Sequence, residues 1–312
     1  MIRSDGISCC VLFVRVDKNG KPLSKSFQNK NNQEENTDYI EYTNVNEIKN
    51  MKIVVADPNM SDLIYCGYKD NDENLQTFRY TQNQRRLETR MKKYSKIKDN
   101  NNKNTKINNE TIKEIETTLS VLNSKTCNFK KFKNYCIEKN NINSQLYLHY
   151  NQPYFRKFKL NAFTNTQKSE SKMVTNFEKK YGTPNETIFV IGDYDKGNYH
   201  MKGKEPVICK KFRRIFKNAG YKTYLINEFR TSKLCNCCYN ELEMFLEKPS
   251  KKPKRKGELE ICNGLLRCQS VKHNSEVFHN RDKNAVQNML NIVKSIVNTG
   301  KRPEIFCRTV NS

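Results

Sequence analysis

A chain of 312 residues is long enough for one large domain with insertions or for two ordinary ones, so it can bury a sizeable core without disulfide staples. Its 57 Lys and Arg against 33 Asp and Glu leave a net charge of +24, which makes nucleic acid the expected partner; no basic helix with a strong apolar face accompanies it to suggest a membrane surface. No run approaches the roughly 18 apolar residues of a membrane span, and the opening MIRSDGISCCVLFVRV lacks a signal-peptide layout, so the chain reads as intracellular and its cysteines as thiols.

Strand character comes first. ISCCVLFVRV (residues 7–16) is apolar and β-branched, and MKIVVAD in residues 51–68 is a short buried-strand run that ends on an acid. LIYCGYK and LQTFRY continue the pattern, while residues 17–50, polar and rich in Asn and Lys, read as a loose surface connection. From about residue 82 the period is helical: Leu87, Met91, Tyr94 and Ile97 share one spacing pattern, Ile112, Ile115, Leu119 and Leu122 another, and Phe129, Phe132 and Cys136 carry it on. The polar run KDNNNKNTKINN is expected to break these helices, and TPNE to end a helical insertion near residue 180. Within it, Tyr154, Phe155, Arg156, Lys157 and Phe158 offer either a track for a nucleic-acid backbone or the basic face of an ordinary helix.

A second strand–helix–strand unit follows as TIFVIGD, KEPVICKKFRRIFKNAG and YKTYLINE, with Gly220 as the helix C-cap. The last helix, about residues 280–298, places Ala285, Val286, Met289, Leu290, Val293, Ile296 and Val297 on one face, with Asp282 in its first turn. A basic, unpatterned tail closes the chain.

Between these two units lies a cysteine cluster. Cys235 and Cys238 form C-x2-C, whose thiolates can close on one tetrahedral ion, and Cys268 supplies a third ligand after a stretch long enough for the two arms of a ribbon. His273 is the first choice for the fourth, with Cys262 and Cys237 competing. Four protein ligands leave no open position, so the expected zinc is structural. Three acids stand at element ends: Asp57 after KIVVA, Glu228 after YLIN, and Asp282 at the start of the last helix. Carboxylates brought together at one sheet edge suit two Mg²⁺ ions about 3.5–4 Å apart, which activate water in phosphodiester cleavage.

The wording around these residues carries a resemblance. FRTSKLC before the knuckle, GLLRC before its second half and FHNRDKNAVQNMLNI at the final helix resemble the C-terminal signature of the TnpB proteins and their eukaryotic relatives, the Fanzor proteins, from about residue 51 to residue 298. The resemblance implies an α/β, RNase H-like (RuvC-type) mixed sheet with a helical insertion and an inserted zinc ribbon, in an RNA-guided DNA endonuclease. It divides the chain into core segments at 51–81, 187–228 and 280–298, a helical insertion at 82–186, a nucleic-acid-binding zinc ribbon at 229–279 and a basic tail at 299–312. VVADPN matches the family's first motif and makes Asp57 a metal ligand, with Asn59 where the family has Gly; Asn tolerates positive φ, so the turn is expected to survive. Asn280, Arg281 and Asp282 match the third motif unchanged. The second motif departs: the strand IFVIGD has Gly192 where a catalytic Glu is usual, and Fanzor-like relatives carry a substitute just before FRTS, here Glu228, with Asp193 and Asp195 as fallbacks.

The family's N-terminal recognition region has no counterpart before Asp57, and residues 1–50 resemble the last strands of its wedge-like domain followed by a polar linker, so the expectation is a truncated copy, a natural minimal form or a chain whose start was assigned too late. The run KPSKKPKRKG at residues 248–257 reads as a nuclear-import signal, a phosphate-contacting hairpin tip or a solvated loop. The expected function is metal-dependent DNA cleavage, with guide RNA as a further implied partner. Its rival is a transposon-derived module that binds DNA or RNA without cutting.

Overall fold

The computed structural model describes residues 2–4, 9–11, 37–193, 209–250, 255–273 and 275–308. They fall into two compact units, one with residues 86–167 and the first two strands, the other with residues 37–85 and the chain from 168 onward.

Strands β1 (Ile2–Ser4) and β2 (Cys9–Val11) pair antiparallel; the rest of the expected wedge-like segment lies outside the described residues. Residues 37–50, expected as loose connection, are anchored instead. Ile40 and Ile48 are fully buried, and Leu225 N–H donates to the Asp38 carbonyl at 2.9 Å. Two apolar side chains suffice to hold a segment whose average composition is polar. Strands β3 (Lys52–Asp57), β4 (Asp62–Lys69) and β5 (Leu75–Thr81) then form an antiparallel meander.

Helices α1 (Gln82–Glu88) and α2 (Met91–Asn104) are separated at Arg90, whose φ of 56° is left-handed. Contrary to expectation, α2 runs through KDNNNKN. Asn102 is buried there and donates to Glu116 at 3.2 Å and to the Tyr150 hydroxyl at 2.6 Å, so its amide is satisfied by tertiary partners instead of competing for the helix backbone. The break comes at the hairpin of β6 (Lys106–Ile107) and β7 (Glu110–Thr111), turned by Asn108 and Asn109 at φ 49° and 70°. Helix α3 (Ile112–Thr118) opens on a Thr111/Glu114 capping box, and α4 (Phe129–Tyr150) follows. The long α5 (Pro153–Tyr181) spans the division between units. Its last turns carry Met173, Phe177 and Tyr181 into the core of the sheet, so the helical unit ends earlier than the expected insertion. Tyr154 packs on Phe155, which is buried, and Phe158 stacks on Tyr94 at 5.1 Å, so these aromatics serve helix packing and only Arg156 and Lys157 face solvent.

Strand β8 (Thr187–Gly192), helix α6 (Cys209–Asn218) and strand β9 (Lys222–Ile226) complete a mixed five-stranded sheet of order β5-β4-β3-β8-β9, parallel from β3 to β9. Gly220, at φ 90°, ends α6 as expected, letting Tyr221 N–H reach back to the Phe216 carbonyl at 3.1 Å. Two hairpins follow, β10 (Glu247–Pro249) with β11 (Leu259–Ile261) and β12 (Leu265–Cys268) with β13 (Val277–Asn280). Strand β13 runs directly into α7 (Arg281–Thr299), closed by Gly300 at φ 69°.

Strand alternation assigns the two faces. Val54, Ala56, Phe189, Ile191 and Leu225 pack against Phe177 of α5 and against Phe212 and Phe216 of α6. Val55, Tyr65, Ile188, Val190 and Ile226 pack against Val286, Met289, Leu290 and Val293 of α7. The result is a three-layer α/β unit. Helix α7 crosses β4 so closely that a Cβ at Gly67 would lie 2.4 Å from Val286 Cγ1. Among the described residues no helix is long and apolar enough to cross a membrane.

Gly67→Ala is therefore expected to lower stability by about 1–3 kcal/mol through overpacking, and Val286→Ala in the same chain to recover part of the loss. Urea unfolding of the two single variants and the double variant measures this coupling.

Candidate functional site

The alternation that directs Val55 and Val190 toward α7 continues two residues further, to Asp57 on β3 and to position 192 on β8, and Glu228 follows just beyond the end of β9 at Ile226. Asp282 stands in the first turn of the helix that covers this face. The acids of three separated stretches thus meet at the carboxyl end of the parallel strands, where open α/β sheets bind their ligands. Among the described residues only the cysteine–histidine group below has all its ligand atoms within 4.8 Å of one another, so the acids share one sheet end without being drawn into a single cage.

Gly192 explains how Glu228 arrives there. The register Ala56↔Ile191 sets Asp57 beside Gly192, and a Cβ built on Gly192 would fall 1.6 Å from Glu228 Oε1 and 2.4 Å from its Cδ. The carboxylate of Glu228, which follows β9, therefore occupies the space that a side chain on β8 would enter. Absence of a side chain at 192 is a steric condition for this placement.

Burial, then the charge of Asp282, raises the Asp57 carboxyl to about 8; Arg281 opposes the shift and Asp62 adds to it. Asp282 is also raised, by burial first and by Asp62 second, while Arg281, Arg79 and the Asn59 amide work against it. Asn59 does not take the positive φ expected of it. Its backbone N–H closes the turn on the Asp62 carbonyl at 3.1 Å, which frees its side chain to donate from Nδ2 to Asp282 Oδ1 at 2.5 Å. Asp62, a buried acid not singled out in the sequence, is neutralised by Arg79, whose Nη2 donates to both carboxylate oxygens at 2.9 and 2.7 Å. Asp193 accepts from the Tyr39 hydroxyl at 2.8 Å, and Tyr39 packs on the opposite side of the sheet from α7. Asp195 lies outside the described residues.

Cys235, Cys238, Cys268 and His273 bring one ligand atom each to within 4.8 Å of the others, the three sulfurs buried. Cys238 and Cys268 are 3.6 Å apart, and so are Cys235 Sγ and His273 Nε2. These separations are close to the edges of a tetrahedron with bonds of about 2.3 Å to sulfur and about 2.0–2.1 Å to nitrogen. The cluster could hold a metal such as zinc, and geometry selects His273 over exposed Cys237 and over Cys262, which instead lies 3.9 Å from Lys248 Nζ. Local folding builds the knuckle: Tyr239 takes φ 63°, its N–H reaches the Cys235 carbonyl at 2.9 Å, and Cys235 N–H reaches the Asn240 carbonyl at 2.8 Å. Although burial opposes ionisation of Cys238, the Asn240 backbone and Ser270 are among the groups whose hydrogen bonds pull its thiol down to about 6. His279, missed in the sequence reading, is buried with Nε2 3.4 Å from Cys235 Sγ, and burial keeps its imidazole toward the neutral form.

Helix α7 ties the two clusters together. Asn284 and Asn288 are buried, and their Nδ2 groups each donate to the carbonyls of Thr231 and Leu234, at 3.4 and 2.8 Å and at 2.7 and 2.7 Å. Asn236 N–H donates back to Asn284 Oδ1 at 3.0 Å, and Asn291 Nδ2 donates to the Asn236 carbonyl at 3.3 Å. The segment between Glu228 and the first cysteines is thereby clamped to the helix that carries Asp282. Its signal in the sequence is the spacing of Asn284, Asn288 and Asn291, the first two polar positions on an otherwise apolar stripe.

No protein-family model matches the chain, and no curated protein is significantly similar to it.

Two measurements bear on the clusters. One zinc per chain is expected, retained in Cys237→Ser and Cys262→Ser, lost in Cys268→Ser, and bound about 10–100-fold more weakly in His279→Ala, as for an outer partner of a ligand; competition with a chromophoric chelator reads each affinity. Because the raised Asp57 carboxyl makes its ionised form costlier in the fold than in the unfolded chain, its contribution is full below pH 3.8 and is lost as pH rises toward about 8. Asp57→Asn should therefore stabilise the chain more at pH 8 than at pH 5 without divalent cations, as read from thermal midpoints.

Proposed function

We propose that this chain is a metal-dependent DNA endonuclease of the TnpB and Fanzor kind, its sheet the core of an RNase H-like, RuvC-type nuclease and its cysteine cluster a structural zinc ribbon that holds nucleic acid near the acids. One observation carries the reading: the Glu228 carboxylate fills the space that a residue at 192 would occupy, beside Asp57 and under the helix that bears Asp282. This is the position at which the resemblance requires a glutamate and at which the sequence has none.

Hard oxygen donors gathered at one sheet end suit Mg²⁺, and Asp57, Glu228 and Asp282 would hold it. Bound there, the ions supply the charge that activates water and stabilises the leaving oxygen of a phosphodiester. The protein's own groups prepare the site. Asp57, whose carboxyl burial holds up at about 8, would have to give up its proton to hold a cation, Asn59 holds one oxygen of Asp282, and the Arg79 fork pairs the charge of Asp62. The net charge of +24 supplies attraction for the phosphate backbone. Guide RNA belongs to the same proposal as the component that reads sequence, as does nuclear import by the run at 248–257, of which residues 251–254 lie outside the described residues.

Purified protein co-expressed with its flanking RNA is expected to cleave DNA in Mg²⁺, and Asp57→Ala, Glu228→Ala and Asp282→Ala are each expected to lose at least about 100-fold in rate, the scale of removing a group that stabilises transition-state charge. Gly192→Glu with Glu228→Ala moves the carboxylate to the neighbouring strand and should restore part of the activity, whereas Gly192→Glu alone should displace Glu228. Absence of cleavage by the wild type would overturn the proposal.

A further inference from the structure

Beside the Glu228 end of β9, the 40–42 turn and the segment after α7 line an open cavity of about 340 Å³, within the roughly 300–1,000 Å³ of small-ligand sites. Three of its features point to one kind of ligand. Tyr42, on the rim, is 85% exposed, and its edge-to-face contact with Tyr39 at 6.4 Å leaves at least one ring face open. Glu41 Oε2 is a buried acceptor with no hydrogen-bond partner among the described residues, while its other oxygen accepts from Arg302 at 2.6 Å. Arg308 is exposed, its guanidinium 5.5 Å from the ring of Phe229.

Arg302 is the wall of this cavity and not its anion site. Nη1 donates to Glu41, Nη2 to the Asn227 carbonyl at 2.5 Å and Nε to the Phe306 carbonyl at 3.0 Å, which joins the turn, the residue before Glu228 and the C-terminal segment. An open aromatic face, a buried acceptor and an exposed cation are the complements of a base, a base N–H and a phosphate. A second cavity of about 430 Å³, beside the cysteine knuckle, differs in that its Arg230 is paired with Glu241 at 2.9 Å.

We propose that the cavity seats one unpaired nucleotide of the strand being processed, with its base on Tyr42, a base N–H on Glu41 Oε2 and a flanking phosphate at Arg308. Asn227, which lines the cavity, directly precedes Glu228 in the chain. The direction of the strand rests on the endonuclease reading, whereas occupancy of the cavity does not.

The test uses the full chain carrying Asp57→Ala, so that binding is read without cleavage. Single-stranded DNA and RNA of about 12 nucleotides, with 2-aminopurine placed at successive positions, are titrated with this protein. One position is expected to be quenched, with DNA, with RNA or with both, which identifies the strand. Adding Tyr42→Ala should abolish that quenching and weaken binding about 5- to 100-fold, the worth of one stacked base, while Tyr42→Phe should keep both. Arg308→Ala should lower the salt dependence of binding by about one ion. Unchanged quenching in Tyr42→Ala, or equal loss in Tyr42→Phe, overturns the proposal even where the wild type cleaves. Quenching that depends on Tyr42 in a protein whose wild type does not cleave sustains the cavity and overturns the endonuclease reading alone.

Discussion

Two buried amides on one helix hold the molecule's two candidate centres in register. Asn284 and Asn288 spend their N–H groups on the carbonyls of Thr231 and Leu234, in the segment that leaves Glu228 and enters the cysteine knuckle. A backbone carbonyl buried without a partner costs about 1–3 kcal/mol, so the segment has one favourable seat on α7, and α7 has one favourable rotation over the sheet. Asp282 is two residues before the first of these amides and inherits that rotation. The close crossing at Gly67 sets the height of the same helix above β4. Depth and rotation of the last acid are thus set by packing and hydrogen bonding away from the acid itself.

Glu228 depends on the same clamp from its other side. Its strand, β9, ends at Ile226, and beyond that point the backbone is no longer held by the sheet ladder. Arg302 grips the Asn227 carbonyl, and the Thr231 N–H and hydroxyl both donate to the carbonyl of Glu228 itself, at 3.1 and 2.9 Å. A side chain leaving this braced loop reaches across to the neighbouring strand only because Gly192 presents no Cβ. Moving a carboxylate from one strand to the next therefore takes two changes that are useless apart. The vacated position must become glycine, and the new one must carry a side chain long enough to cross the interstrand gap, about 4.8 Å. Aspartate at 228 would be one methylene short of Glu228's reach.

The sheet and the last helix were legible because burial leaves a periodic trace: β3, β4, β5, β8 and β9 are apolar runs, and α7 repeats its apolar residues over five turns. What escaped was polar and buried. Asn284 and Asn288 interrupt the apolar stripe and gain meaning only from carbonyls some fifty residues away in the chain. His279 reads as part of a motif, and its approach to Cys235 depends on the pairing of β12 with β13. Ile40 and Ile48 were diluted by the polar residues around them. Helix α5 fell inside the expected helical insertion, but helical character says that a face is covered and not by what, so the passage of its last turns into the sheet core had no one-dimensional signal.

The charge distribution gives the candidate acid site its character. The chain carries a net charge of +24, yet near the acids the charges of Asp282 and Asp62 add to the cost of ionising Asp57, and Asp62 adds to that of Asp282, while Asp62 itself is held by the Arg79 fork. Burial first and the charge of Asp282 second hold Asp57 near 8, and Arg281, next to Asp282 in the chain, opposes the shift on both acids. An arginine paired with Asp57, as Arg79 is with Asp62, would instead favour the charged form and lower its carboxyl. Asp57 and Asp282 are therefore a pair whose ionised forms the fold itself disfavours, chiefly through burial.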